Sequence, residues 1–222
     1  MGSVKLVAMT KPMIEGVETP EQFIAYCARV SNPSNQLNNE TAEKLLTYCV
    51  KNKHWSIFET VNIVLEIQTT RDIARQILRH RSFSFQEFSQ RYAAVAEMSK
   101  PREARLQDTK NRQNSVTLNL DNASDRELYA EWNRKQQAVI DLVKDTYTWA
   151  VTNGIAKEQA RAVLPEGLTA SRLYMNGTLR SWIHFIELRS ANGTQLEHQE
   201  VAIACAKVIA EIFPLANELL AK

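Results

Sequence analysis

From Phe58 to Ile67 apolar and polar residues alternate, and Val61, Ile63, Leu65 and Ile67 fall on one side, the period of a half-buried strand. A short apolar run from Val4 to Met9 predicts a second strand. At Arg71 the period changes. Ile73, Ala74, Ile77 and Leu78 form the stripe of a helix that Thr70 can cap and that runs to about His80. Within it Gln76 and Arg79 are three apart, which predicts a shared second face. Upstream, Thr19-Pro20 starts a helix reaching about Val30, and Asn39 can cap another through Leu45, Leu46, Cys49 and Val50. Downstream, a long helix from Asp125 to Thr152 stops at Asn153-Gly154, and a shorter one ends at Leu164 before Pro165. Helices over Thr178–Ser190 and Glu197–Leu220 follow, with Pro214 kinking or ending the last. Lys100 to Asp125 is polar and predicts a surface loop, either a lid or a plain solvated excursion. Strands early and helices late predict an α/β or α+β class: one helix-rich domain over 1–222 around an antiparallel or mixed sheet.

Composition narrows the function classes. With 27 basic and 25 acidic residues the net charge is +2, without the basic excess of a protein that grips a long polyanion. Arginine interleaved with Phe83, Phe85, Phe88 and Tyr92 could still stack single-stranded nucleic acid, but the footprint for it is missing. The three cysteines, Cys27, Cys49 and Cys205, are far apart, and the histidines lack metal-ligand spacing. Neither a disulfide framework nor a metal site is expected, and a reducing cytoplasm fits. Met1–Thr10 lacks the pattern of a secretory leader, and no apolar run approaches the ~20 residues of a membrane helix. Gly-x-Gly-x-x-Gly after a strand and the Gly-x-x-x-x-Gly-Lys-Ser/Thr loop are both absent, so any nucleotide must be held by side chains and helix ends.

The segment Arg71–Arg91 carries five arginines and no lysine. Guanidinium forks suit phosphate and carboxylate, although the same residues could line a solvated face. Arg189 continues a helical stripe through Trp182 and Ile186, and an arginine on a buried stripe needs an anion, either an internal carboxylate or a ligand. Order adds more. Arg79-His80-Arg81, seven residues, Ser89, then Arg91-Tyr92 resembles the signature of the flavin-dependent thymidylate synthase family. Further segments are similar to that family in the same order: Ala28-Arg29-Val30-Ser31, the run from His54 to Glu59, Glu158 to Pro165, Asn176 to Arg189, and Gln195-x-Glu197. Gln86 departs from the Asn that many members carry but keeps the amide.

The resemblance implies conversion of deoxyuridine monophosphate (dUMP) to thymidine monophosphate (dTMP). The methylene donor is methylenetetrahydrofolate, and the hydride comes from flavin adenine dinucleotide (FAD) that NADPH re-reduces. It implies a homotetramer with active sites at subunit interfaces. It assigns dUMP contacts to Gln76, Ile77, Leu78, Arg79, Glu87, Phe88, Ser89, Gln90, Arg91, Arg161 and Arg189. It assigns FAD contacts to Ser31, His54, Ser56, Arg79, His80, Arg81, Glu87, Asn176, Thr178, Arg180 and His184. Arg189 is then the catalytic residue, stabilising a uracil ring that has lost its N3 proton. The two arginines flanking His80 should disfavour its protonation. Ser89 reads as a ligand, because no general base is placed beside it. His198 is left without a role, as a surface or interface residue.

Overall fold

The computed structural model describes residues 2–95 and 98–214. The strands are β1 (Val4–Met9), β2 (Asn62–Thr70), β3 (Ser84–Glu87), β4 (Arg105–Gln107), β5 (Ser115–Thr117) and β6 (Ala170–Thr178). The helices are α1 (Pro20–Ala28), α2 (Ala42–Lys51), α3 (Arg71–Ile77), α4 (Ala123–Thr152), α5 (Lys157–Ala160), α6 (Leu179–Arg189) and α7 (Leu196–Ala210). Four strands pair in the order β1-β2-β6-β3, and every pairing is antiparallel. That decides between the two expected sheet types and places the chain in the α+β class.

The axis of the sheet is a strand the sequence reading did not anticipate. β6 pairs along its whole length with β2, from Ala170 opposite Thr70 to Thr178 opposite Asn62. It alternates cleanly, with Ser171, Leu173, Met175 and Gly177 buried and Arg172, Tyr174 and Asn176 exposed. Its other edge takes β3, with Ser84 opposite Asn176 and Glu87 opposite Leu173. Part of the arginine-rich signature is therefore an edge strand rather than a loop.

Helices pack on the inward side. Ile63, Leu65, Ile67, Leu173 and Met175 meet Ile73 and Ile77 of α3, Trp182 and Phe185 of α6, and Ala202 and Cys205 of α7. Each large apolar side chain so buried contributes roughly 1.5–3 kcal/mol. Trp182 is fully buried, and its indole N–H donates to the Ile63 carbonyl at 3.1 Å, which fixes α6 against β2.

Element ends show where local physics overrode the expected pattern. Thr19 caps α1 in a reciprocal box with Gln22, and Thr178 caps α6 by accepting from the Ser181 N–H. Asn39 does not cap α2: its amide donates to the Gly16 carbonyl, and the helix begins at Ala42. Thr70 precedes α3 without a side-chain cap, its hydroxyl donating to Asp72 at 2.5 Å. Phe58 lies in a 3-10 turn, Ser56–Glu59, before the strand begins. The polar stretch 100–125 is not a bare loop, since β4 and β5 form a hairpin within it and Asn122 caps α4. α5 spans only Lys157–Ala160 and continues as a 3-10 turn over Arg161–Val163. α7 stops at Ala210, before Pro214, and positions 215–220 of the expected last helix lie outside the described residues.

α3 ends at Ile77, three residues before the expected limit. The N–H of Arg79 bonds back to Gln76 O at 3.4 Å and that of His80 to Ile77 O at 3.0 Å. These i→i+3 bonds wind the chain tighter than an α-helix and turn it away. Arg79-His80-Arg81 thus sits on a turn, and Gln76 and Arg79 do not share a helix face.

Phe83 fills the space over Gly177: a Cβ there would lie 2.4 Å from the Phe83 ring. The ring then meets Trp182 edge-on with centroids 4.9 Å apart. Gly177→Ala is expected to cost roughly 1–3 kcal/mol through overpacking, read as a lowered urea midpoint at unchanged slope. An unchanged midpoint would show that the ring moves aside freely.

Candidate active site

The site builds outward from Arg189, in the last turn of α6. Its stripe partners Trp182 and Ile186 are fully buried, and Arg189 itself is half-buried. Among the described residues no carboxylate lies within 4.0 Å of Arg189, nor of Arg79 or Arg81. Of the two alternatives for Arg189, a carboxylate within the chain or a ligand, the first is therefore not found among the described residues. Instead its Nε donates to Nε2 of His80 at 2.9 Å. Burial and then the nearby Arg79 push the Arg189 pKa down.

His80 is the neutral member of the contact. A guanidinium can only donate, so Nε2 carries the lone pair and Nδ1 the proton. Burial, followed by the Arg189 charge, lowers its pKa to about 4. The expected result is found but its expected cause is not, because the sequence neighbours Arg79 and Arg81 are not the source. The ring is set edge-on to Phe185 at 5.0 Å and Phe83 at 6.4 Å.

Beside this pair lies a buried polar network. His198 is not at the surface: it is fully buried, with its ring 6.5 Å from that of His80. Its Nδ1 meets Gln76 Oε1 at 3.1 Å, and its Nε2 has no partner. Gln76 Nε2 donates to Gln195 Oε1 at 2.8 Å, and Gln195 Nε2 donates to Glu197 Oε2 at 2.9 Å. Arg105, from the hairpin, donates to Glu197 Oε1 at 2.5 Å. Burial works against ionisation of Glu197, but hydrogen bonds from its own backbone, Gln195 and Arg105 hold its pKa below the usual range. His198 was findable in the sequence, since it leads the stripe Val201, Ala202, Cys205, Ala206 and Ile209 at helical spacing.

The remaining nucleotide candidates gather elsewhere. Glu87 accepts from Arg75 at 2.9 Å and from the Ser171 hydroxyl at 2.7 Å, with Arg71 at 3.9 Å. Glu166 lies 3.8 Å from Arg71 and 4.0 Å from Arg75. Arg91 pairs with the Glu158 carboxylate at 3.4 Å, while Arg161 donates to the Glu158 carbonyl at 3.3 Å. Ser89 is half-buried on the turn that joins them, and among the described residues no carboxylate or imidazole bonds its hydroxyl. Phe88 continues the β3 edge through its N–H to Arg172 O, Gln90 is buried with an unpartnered Nε2, Ile77 belongs to the core, and Leu78 caps α3 half-buried. The structure thus brings Gln76, Arg79 and Arg189 into one group and Glu87, Arg91 and Arg161 into another, on different faces of α3. A surface cleft of about 1080 Å³ is lined by Arg102, Arg172 and Lys207 among others and includes neither Arg79 nor Arg189.

Of the flavin candidates, Arg180 and His184 lie on α6 and Thr178 caps it. Arg180 pairs with Glu59 of the 3-10 turn, and exposed His184 sits edge-on to Trp55 at 5.0 Å. The Ser181 hydroxyl donates to Ser82 O at 3.3 Å and draws the Arg81 turn to the same helix. His54, Ser56 and Asn176 are exposed nearby in the fold, and Ser31 is exposed on the loop after α1. Arg29 holds that loop through Asn38 O and the Thr41 hydroxyl. None of the cysteines is prepared as a nucleophile: burial pushes the thiols of Cys27, Cys49 and Cys205 up. Among the described residues no cluster of three His, Cys, Asp or Glu could hold a metal ion, and no helix is long and apolar enough to cross a membrane.

The family model described as "Thymidylate synthase complementing protein" matches residues 12–215. A protein of Paramecium bursaria Chlorella virus 1, described as "Probable flavin-dependent thymidylate synthase", is 53% identical over 96% of this chain and 95% of its own. The flavin-dependent thymidylate synthase of a Synechocystis species is 50% identical over 95% of each chain. Among solved structures, the UMP/dUMP methylase PolB from Streptomyces cacaoi bound with 5-Br UMP is similar at a TM-score of 0.78. It is 25% identical and covers 100% of this chain and 94% of that one.

Two imidazoles, half-buried His80 and fully buried His198, carry a pH dependence. Burial, then Arg189 and then His80, lower the His198 pKa to about 4 as well. An unfolded histidine titrates near ~6.5, so between there and about 4 the unfolded chain binds protons that the native state refuses. The stabilisation is fully present above pH ~6.5 and is lost as pH falls toward 4; roughly 3 kcal/mol is expected, mostly from His198, since half-exposed His80 is discounted. Urea midpoints between pH 7 and 4.5 read this directly. His198→Leu should flatten the decline, and an equally steep decline in that variant rejects the assignment.

Proposed function

The chain belongs to the thymidylate synthase complementing protein family, that of the flavin-dependent thymidylate synthases, and on that premise we propose that it converts dUMP to dTMP. The methylene group comes from methylenetetrahydrofolate, and the flavin is FAD, re-reduced by NADPH. Hydride delivery is the chemistry the flavin supplies when bound.

The observation that carries the reading is Arg189, a half-buried guanidinium with no carboxylate within 4.0 Å among the described residues and a neutral imidazole at its Nε. Such a group is poised for a planar anion. Loss of the N3 proton makes uracil one, and the guanidinium meets the charge as it forms. Because His80 accepts at Nε2, Arg189 keeps its terminal nitrogens for the ligand. Arg79 and Gln76 complete the base side, with Ile77 and Leu78 as its wall. Ser89, Arg91 and Arg161 serve the phosphate end, helped by the backbone of Glu87, Phe88 and Gln90. The residues that would hold the flavin are Ser31, His54, Ser56, Arg79, His80, Arg81, Glu87, Asn176, Thr178, Arg180 and His184. The guanidinium groups of Arg79 and Arg81, without a carboxylate partner among the described residues, fit its diphosphate, and the edge of His184 fits a flat ring.

A homotetramer fits the same geometry. The base-side and phosphate-side groups occupy different faces of α3, so a second copy must bring its opposite group to close a pocket. α4 also carries an exposed apolar stripe, Leu128, Trp132, Val139, Leu142 and Trp149, that a neighbouring copy can cover. The whole length, 1–222, serves as one such domain, with dUMP, folate and nicotinamide rather than nucleic acid or a membrane as its partners. Three free cysteines suit the reducing cytoplasm.

Protein purified with FAD should be yellow and should form dTMP from dUMP when given methylenetetrahydrofolate and NADPH. Arg189→Ala should lower methylation at least ~100-fold while flavin absorbance survives, the size expected for losing a group aimed at developing charge. A folded wild-type protein with neither flavin affinity nor dUMP turnover would overturn the proposal, and a fully active Arg189→Ala would remove Arg189 from it.

A further inference from the structure

The chain Glu197–Gln195–Gln76–His198 runs in one direction only. Ionised Glu197 accepts but cannot donate, so the Gln195 group facing it at 2.9 Å is its amide N–H. Gln195 then presents its carbonyl to Gln76 at 2.8 Å, which forces the Gln76 amide nitrogen to that side. The Gln76 carbonyl is left facing His198 Nδ1 at 3.1 Å, and only a protonated Nδ1 satisfies it. Nε2 of the fully buried ring must therefore be the bare nitrogen, and it is the one with no partner. Reversing the whole chain sets the Gln195 carbonyl against the carboxylate, and reversing one member alone sets like against like at its neighbour.

We infer that Glu197 and His198 are positioning residues that fix which way the Gln76 amide faces the nucleotide. The inference rests on the reading above that Gln76 borders the base. Held at both ends, the amide keeps one N–H and one lone pair free, each in a set place. A pyrimidine edge presents carbonyl and N–H groups in a set order too, and a flipped amide would oppose donor to donor and acceptor to acceptor. Arg105 secures the second oxygen of Glu197 from the hairpin, so the β4–β5 arm reaches the base side through this chain.

Two replacements of His198 separate positioning from packing. Asn places an amide N–H where Nδ1–H stands, whereas Leu fills the apolar surroundings but donates nothing. His198→Leu should raise the KM for dUMP about tenfold with a smaller fall in kcat, and His198→Asn should recover most of it, the scale of one buried acceptor left unpaired. A packing role predicts the reverse order, with Leu at least as good as Asn, and that result overturns the inference. The proton itself gives a readout that needs no turnover. In protein labelled with ¹⁵N-histidine, His198 should carry its proton on Nδ1, and a proton on Nε2 sinks the inference whatever the assay gives. Wild-type protein that keeps the Nδ1 proton but neither binds nor converts dUMP would instead fail the functional reading and detach Gln76 from the nucleotide, which also overturns the positioning role.

Discussion

A guanidinium kept half-buried with no counter-ion among the described residues is the costly feature around which this structure is arranged. Desolvating Arg189 without a carboxylate disfavours the native state, and the adjacent Arg79 adds to that. The fold withholds the easy escapes. α6 cannot roll Arg189 into solvent without moving Trp182, whose side chain is fully buried and bonded to Ile63 O. Burial and Arg189 both oppose protonation of His80, so near neutral pH it remains an acceptor. Its ring is placed by Phe185 and Phe83, and Phe83 sits where it does because residue 177 has no Cβ. A glycine in the central strand and a charge at a helix end are thus parts of one arrangement. The core offsets a strain that only an anion can relieve.

Much of this was legible in the sequence because it follows from period and capping. The stripe Trp182, Ile186, Arg189 is a helical pattern, and Thr19 and Thr178 announce their helices. What escaped had a physical reason in each case. β6 hides its alternation because two of its inward positions are Ser171 and Gly177, which give no hydrophobic signal, and because its neighbours in the sheet are distant in sequence. The hairpin within 100–125 exposes most of both faces, so no pattern marks it. α3 ends early through backbone bonds that any residues could make. The low basicity of His80 was anticipated from Arg79 and Arg81, yet its electrostatic source is Arg189, over a hundred positions away in the chain. His198 carries a usable signal, its place at the head of an apolar stripe, but a histidine does not continue the hydrophobic pattern that marks the stripe.

Short as it is, α3 coordinates the two ends of the proposed nucleotide site. Arg71 and Arg75 lie one turn apart and bind Glu87 of β3, whereas Gln76, about 100° further round the helix, binds Gln195 and His198. Ile73, Ala74 and Ile77 bury the third face completely. The helix therefore cannot rotate to improve one set of contacts without spoiling the other and exposing core. In the proposed homotetramer a site closed between two copies uses the base-side face of one α3 and the phosphate-side face of another. Under two-fold symmetry the same pair of helices then builds a second, equivalent site. In that proposed assembly the spacing of the uracil and phosphate subsites is set by how two such helices face each other, and Arg105 and Arg75 bear on it by holding each face in place.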